Sequence, residues 1–261
     1  MHNLLKLNDV SLSYHSPESE TLALKNIGFE VREEEFVVIV GPSGCGKTTL
    51  LSLLAGLIEP SSGVIELDGK PIAGSKQVGL MPQRDQLFEW RSILKNVTLG
   101  LEIQRSKSPE TVEKARALLR KYGLGDCLNK RPSELSGGMR QRAALIRTLV
   151  TSPRLLLLDE PFSALDFQTR LTVCDDVYRI IKEEKKTAML VTHDLSEAIS
   201  MADKIIVLSE RPAVVKTVLT PQFSPGQSPL ARRESPLFAK YFKQLWKELE
   251  VTDDNRTSEL L

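Results

Sequence analysis

The chain has 261 residues, 41% of them hydrophobic, enough to bury one large α/β core with room for an inserted lobe. Its 35 basic and 34 acidic residues leave a formal net charge of +1, so no strong electrostatic pull draws it toward nucleic acid. No apolar run approaches the roughly 18 residues of a membrane span, the first residues lack a continuous hydrophobic stretch, and Cys45, Cys127 and Cys174 show no C-x-x-C spacing. The expectation is a cytosolic chain without disulfides or zinc.

In chain order, residues 4–40 supply alternating strands, LLKLNDVSLSY and IGFEV, and then the short β-branched run FVVIV (36–40). Tyr14 shares the alternating face of Val10 and Leu12, where packing is the ordinary reading of an aromatic. GPSGCGKTT (41–49) follows and fits G-x-x-x-x-G-K-[ST] through Gly41, Gly46, Lys47 and Thr48. A triphosphate presents crowded negative charge, which backbone N–H groups can approach only where side chains are absent. Gly41, Gly44 and Gly46 allow Pro42, Ser43, Cys45 and Thr49 to wrap the phosphates. Lys47 supplies a point charge and Thr48 a hydroxyl for Mg²⁺. The leucines of TTLLSLLAGLI (48–58) stand at helical spacing, so the loop joins a strand to a helix N-terminus. Cys45 at that position is expected to have a lowered thiol pKa and alkylation that MgATP slows.

GVIELDGKPI (63–72) reads as an edge hairpin turning at Asp68-Gly69. From about Gln83 to Arg154 strand signals stop. SILKNVTLGLEI (92–103) is helix-like, and PETVEKARALLRKYGL (109–124) starts at Pro109 and stops at Gly123. In LSGGMRQR (135–142), Ser136, Gly137 and Gly138 open a helix, MRQRAALIRTLV. Such a start offers N–H groups to an anion, although read without its context it is an ordinary N-cap followed by a glycine-rich turn. Arg140 and Arg142 read as solvated positions or helix-pair partners.

LLLLDE (155–160) has the pattern of a buried parallel strand delivering Asp159 and Glu160 to its C-terminal edge. Asp159 is expected to hold Mg²⁺ through water, and Glu160 to position and deprotonate the attacking water, unless one of the pair merely caps the next helix. Strands resume at TAMLV (187–191) and KIIVL (204–208). TPQFSPGQSP (220–229) reads as a linker, and SPLFAKYFKQLWKELE (235–250) as an amphipathic helix with Leu237, Tyr241, Leu245 and Leu249 in register. Its polar face carries mixed charge, which favours docking on the core over lying on a membrane.

The GPSGCGKTT, LSGGMRQR and LLLLDE segments together resemble the ATP-binding cassette (ABC) ATPases over nearly the whole chain. The resemblance implies an α/β fold: a P-loop NTPase core with a mixed sheet, an antiparallel β subdomain and an inserted α-helical subdomain. The ATPase domain would span 4–230, with the helical subdomain at about 84–154, followed by a C-terminal helix and flexible tail over 231–261. Residue by residue, Gln83 resembles the glutamine that touches Mg²⁺ and the attacking water, and Asp166 in SALD (163–166) the acid of the loop meeting a partner subunit. His193 resembles the histidine that contacts the terminal phosphate, and Tyr14 the aromatic that stacks on adenine. Lys47, Gln83, Glu160 and His193 form the implied catalytic set. Thr48, Gln83 and Asp159 form the implied metal set, with ATP and Mg²⁺ as ligands.

The family also implies a head-to-tail pair of identical chains. Each ATP would lie between one copy's Gly41–Thr48 loop and the other's Ser136–Gly138. Closure by ATP and reopening after hydrolysis would move the helical lobes and an attached integral membrane permease. The chain would thus sit on the cytoplasmic face of the membrane, served indirectly by an extracellular or periplasmic solute-binding protein, with no nucleic acid partner. The stretch RDQLFEWRSILKNVTLGLE (84–102) is similar to the nitrate/sulfonate/taurine importers, some of which serve heterocyclic vitamin precursors. Ser163 stands where many of that group have glycine, a departure expected to affect no catalytic contact. The competing reading is a non-transport cassette acting as a nucleotide-gated clamp or assembly scaffold. Its DNA-type and ribosome-type forms usually carry a long coiled coil or a second cassette, and this chain has neither.

Overall fold

The computed structural model describes residues 2–15, 19–73 and 75–250. The chain forms two units, one built from the segments up to Ser75 and from Thr187 onward, the other from Lys76–Lys186.

The first unit opens with β1 (Asn3–His15) and β2 (Glu20–Arg32), an antiparallel pair. Leu5 and Leu7 point into the core, then Val10 and Leu12, so the inward phase changes between residues 7 and 10. Asp9 causes the change: its φ of 49° makes a bulge, and the β1–β2 register shifts between Leu7 and Val10. Gly63 lies against this bulge, where a Cβ would meet the Asp9 carbonyl oxygen at 2.4 Å. The five residues of β3 (Phe36–Val40) are all buried, as their unbroken apolar run predicts. α1 (Lys47–Leu54) follows the Gly-rich loop. β4 (Ser62–Leu67) and β5 (Lys70–Pro71) form the expected hairpin, with Asp68 and Gly69 at φ 54° and 69°. The antiparallel sheet runs β2-β1-β4-β5.

The second unit holds β6 (Val78–Met81) and the helices α2 (Ile93–Val97), α3 (Leu99–Ile103), α4 (Pro109–Lys121) and α5 (Gly137–Leu149). β7 (Leu155–Asp159) pairs in parallel with β6 and leads into α6 (Phe167–Glu183). α4 starts and stops where the sequence marks it: Ser108 caps, Pro109 occupies the first turn, and Gly123 follows at φ 76°. The single helix read over 92–103 is instead two short ones meeting at Thr98. The Thr98 hydroxyl donates to the Leu94 carbonyl at 3.0 Å, a local bond that bends a helix.

Back in the first unit come β8 (Thr187–Val191), α7 (Leu195–Met201), β9 (Lys204–Leu208) and β10 (Val215–Leu219). β3 lies between β8 and β9 and parallel to both, while β10 pairs antiparallel with β9, giving a mixed sheet. The sequence reading missed β10. It also missed α8 (Pro229–Glu234), which Ser228 caps at the end of the expected linker. α9 (Pro236–Glu250) is the amphipathic tail helix, and it docks on α7 with Leu245 wholly buried. The flexible tail expected over 251–261 lies outside the described residues. Among the described residues, no helix is long and apolar enough to cross a membrane.

Candidate active site

In the first unit the Gly-rich loop leaves the end of β3 and enters α1. A Cβ on Gly41 would sit 3.0 Å from Cys45 Sγ and 3.1 Å from the Leu208 backbone oxygen, so the loop's closeness to β9 requires glycine there. Gly44 and Gly46 turn through φ 74° and 120°. Pro42 is half-buried, and Ser43, Gly44 and Thr48 are exposed, so the loop's outer edge and the Thr48 hydroxyl are open to a ligand. Lys47 is 8% exposed, and its ammonium donates to the Gly41 and Pro42 carbonyls, at 2.9 Å each. Its charge is thereby held along the loop.

The Cys45 expectation is corrected. Burial pushes the thiol pKa up, and the neighbouring Lys47 charge only opposes this. The side chain is 2% exposed and turned toward Gly41, away from solvent. A helix N-terminus lowers a thiol pKa only where the sulfur is not desolvated.

Tyr14 is 46% exposed, and its hydroxyl lies 3.2 Å from Thr49 Oγ1, beside the loop. A ring serving only to fill the core would be buried. His193 is exposed in the turn between β8 and α7.

The second unit carries the carboxylates. Leu155–Leu158 are fully buried, and the strand brings half-buried Asp159 and Glu160 to its C-terminal end. Glu160 has φ 42°, a left-handed conformation that costs a β-carbon residue energy and is held in place by its surroundings. Here Ser163 holds it: the Ser163 N–H and hydroxyl both donate to the Glu160 carbonyl, at 3.2 and 3.0 Å. Gln83 Nε2 lies 3.4 Å from both Glu160 Oε2 and Ser163 Oγ, long contacts of the kind seen before a site tightens on substrate. Ser163, expected from the sequence to affect no proposed catalytic contact, thus bonds to both Gln83 and Glu160. Its three-residue offset from Glu160 was the available signal.

Ser136 is the N-cap of α5, accepting from the Met139 N–H at 3.4 Å. Gly137 and Gly138 have a packing reason as well: added Cβ atoms would meet Leu165 at 3.0 Å and Val173 at 2.8 Å. Asp166 caps α6 by accepting from the Thr169 N–H at 3.0 Å, and bonding to Thr169 lowers its carboxyl pKa. Phe167 beside it is 69% exposed.

The segment after Gln83 is locked to α5. Arg140 donates to Asp85 at 2.8 Å and pairs with Glu89 at 3.0 Å, while Arg147 donates to the Asp85 and Gln86 carbonyls at 2.7 Å each. Buried Asn96 accepts from the Phe88 N–H at 2.7 Å and donates to the Phe88, Arg91 and Ser92 carbonyls. Trp90, stacked on Phe88 at 4.7 Å, is left 73% exposed. Arg142 pairs with Asp176 of α6 at 3.6 Å, a helix-pair partner as read from the sequence.

Residues 24–163 match the profile of the ABC transporter family. The chain is 47% identical over 249 residues to the ABC transporter ATP-binding protein YtlC of Bacillus subtilis, covering 95% of this chain and 96% of that one. It is 39% identical over 214 residues to the taurine import ATP-binding protein TauB of Pelagibacter ubique, covering 81% and 80%. To the nitrate import ATP-binding protein NrtD of a Synechocystis strain it is 36% identical over 260 residues, 97% of each chain. Among solved structures it is similar to the dimeric post-hydrolysis state of the ATP-binding cassette MJ0796 bound to ADP and Pi. The TM-score is 0.70 and the identity 29%, over 85% of this chain and 100% of that one.

Proposed function

Because the chain belongs to the ABC transporter family, in its nitrate/sulfonate/taurine importer group, we infer that it is the ATP-hydrolysing subunit that energises a separate membrane permease for a small solute. It is an ATPase with a P-loop cassette fold. The solute we assign is small and anionic or heterocyclic, of the nitrate, sulfonate, taurine or vitamin-precursor kind, delivered by a solute-binding protein on the far side of the membrane. The permease would hold the chain at the cytoplasmic face. The anchored segment 85–97, which displays Trp90, is the surface we assign to the permease.

Two copies are proposed to pair head to tail, each ATP lying between one copy's Gly41–Thr48 loop and the other's Ser136–Gly138. Tyr14 would stack on adenine, Lys47 and His193 would contact the outer phosphates, and Asp166 would meet the partner copy. Glu160 would orient and deprotonate water, steadied by Gln83. Mg²⁺ fits the donors available. It prefers oxygen ligands, keeps several waters and leans on substrate phosphates, so it needs no protein cage. Thr48, Gln83 and Asp159 would hold it, and when bound it would neutralise charge on the phosphate oxygens.

The observation that carries the hydrolytic reading is Glu160, held left-handed at the end of a buried strand with an amide at its carboxylate. Phosphate release tests it. Glu160→Gln should lower turnover about a hundredfold or more while ATP still binds; turnover at the wild-type rate would refute the assignment.

A further inference from the structure

We propose that Thr192 and Glu197 are positioning residues for His193, fixing the turn from which its imidazole reaches the nucleotide. The proposal rests on the reading of His193 as the terminal-phosphate contact and adds the device that places it.

Three residues, 192 to 194, connect β8 to α7, and both neighbours of His193 are pinned. Thr192 is 2% exposed and Glu197 3% exposed, and the Thr192 hydroxyl donates to Glu197 Oε2 at 2.6 Å. The same hydroxyl oxygen accepts from the Asp194 N–H at 3.1 Å. The Asp194 carboxylate accepts from the Ser196 and Glu197 N–H groups at 2.7 and 3.1 Å, and the Thr192 N–H donates to Ile39 of β3 at 3.3 Å. In an ordinary capping box the acid at the third helical position reaches back to the N-cap N–H itself. Here a threonine hydroxyl is inserted between them, so the relay runs from Asp194 through Thr192 to Glu197 and closes around His193.

Capping alone does not account for this. Asp194 already accepts from two N–H groups of the first turn, those of Ser196 and Glu197, and an apolar residue at 197 would bury at lower cost than a carboxylate. What the buried acid adds is a fixed direction for the Thr192 hydroxyl, and with it a fixed path for the backbone on both sides of His193. Phosphoryl transfer depends on placement, and a displacement of about 1 Å costs up to about a hundredfold in rate. The histidine side chain itself remains exposed.

The test uses the full-length chain with MgATP. Thr192→Val keeps the side-chain shape and removes the hydroxyl; it should lower kcat about tenfold with the ATP Kd changed less than about twofold, and Thr192→Ser should restore most of the rate. A second readout does not need turnover. The chain has 3 histidines, so the imidazole NMR signals of His193 can be followed beside those of His2 and His15. They should shift and broaden in Thr192→Val while the other two stay in place. If Thr192→Val does not fold, Glu197→Gln serves, with a loss of about threefold in kcat and the same displaced His193 signals. Wild-type kcat and unmoved His193 signals in either variant, with His193→Ala impaired, would overturn the inference and leave the functional reading standing. Wild-type turnover in His193→Ala would overturn both.

Discussion

Glu160 and Ser163 show how much depends on single atoms. The Ser163 hydroxyl, which glycine would lack, helps hold Glu160 in its left-handed conformation and touches the Gln83 amide. Ser163→Ala should therefore slow phosphate release about three- to tenfold, the worth of one hydrogen bond. In a Gln83→Ala background most of that effect should vanish, because the two side chains touch each other and both bear on Glu160, Ser163 at its backbone carbonyl and Gln83 at its carboxylate. Full additivity in the cycle would show that they act independently. Cys45 makes the opposite point. The sequence places it at a helix N-terminus, but burial dominates and raises its pKa. Its thiolate fraction at neutral pH is accordingly below that of an ordinary thiol, and it increases only as pH climbs past the usual thiol range. Iodoacetamide should label Cys45 in the native chain at least about tenfold more slowly than in the urea-unfolded chain at pH 8. Equal rates would place the sulfur in solvent.

At the scale of elements, the segment from Asp85 to Val97 is held by a polar network beside the buried side chains of Leu87, Ile93 and Val97. Asp85 is the junction. Burial alone would raise its carboxyl pKa, but the Arg140 guanidinium and the Leu87 N–H together hold it below its ordinary value of 3.8. A depressed carboxylate pKa contributes stability that is fully present above the unfolded value and is lost as pH falls through the folded one. Asp85→Asn should thus cost about 2 kcal/mol near pH 7, and the difference from wild type should shrink as pH falls below 3.8 and through the lower folded pKa. A difference that persists undiminished at low pH would mean that packing, not charge, anchors the segment. The sequence carried one visible sign of this network, an asparagine followed by valine in a helix-like run. The bonds from Asn96 to three carbonyls could not be read from it, because their partners are fixed only once the turn at 88–92 has formed.

That contrast holds for the whole molecule. Features written in local chemistry were legible: glycines where φ is positive, four leucines before two acids, Ser108-Pro109 opening α4, Asp68-Gly69 turning the hairpin. Features that depend on residues far apart were not. The left-handed bulge at Asp9, β10 beyond the loop that follows β9, and the placement of the Cys45 sulfur each follow from tertiary neighbours. The Thr192–Glu197 relay was written in the chain as a short T-H-D-x-x-E pattern, but nothing in the pattern shows that the acid would be buried. The residues of the proposed function are also divided along the chain. Tyr14, the phosphate loop and His193 belong to one unit, and Gln83, Asp159, Glu160 and the Ser136–Gly138 segment to the other.

Sedimentation of the Glu160→Gln chain, with MgATP and then with MgADP, tests the proposed head-to-tail pairing most directly. The account predicts a particle of two chains' mass with MgATP, and a single chain's mass with MgADP. A single chain's mass under both conditions, with ATP shown to be bound, would contradict it.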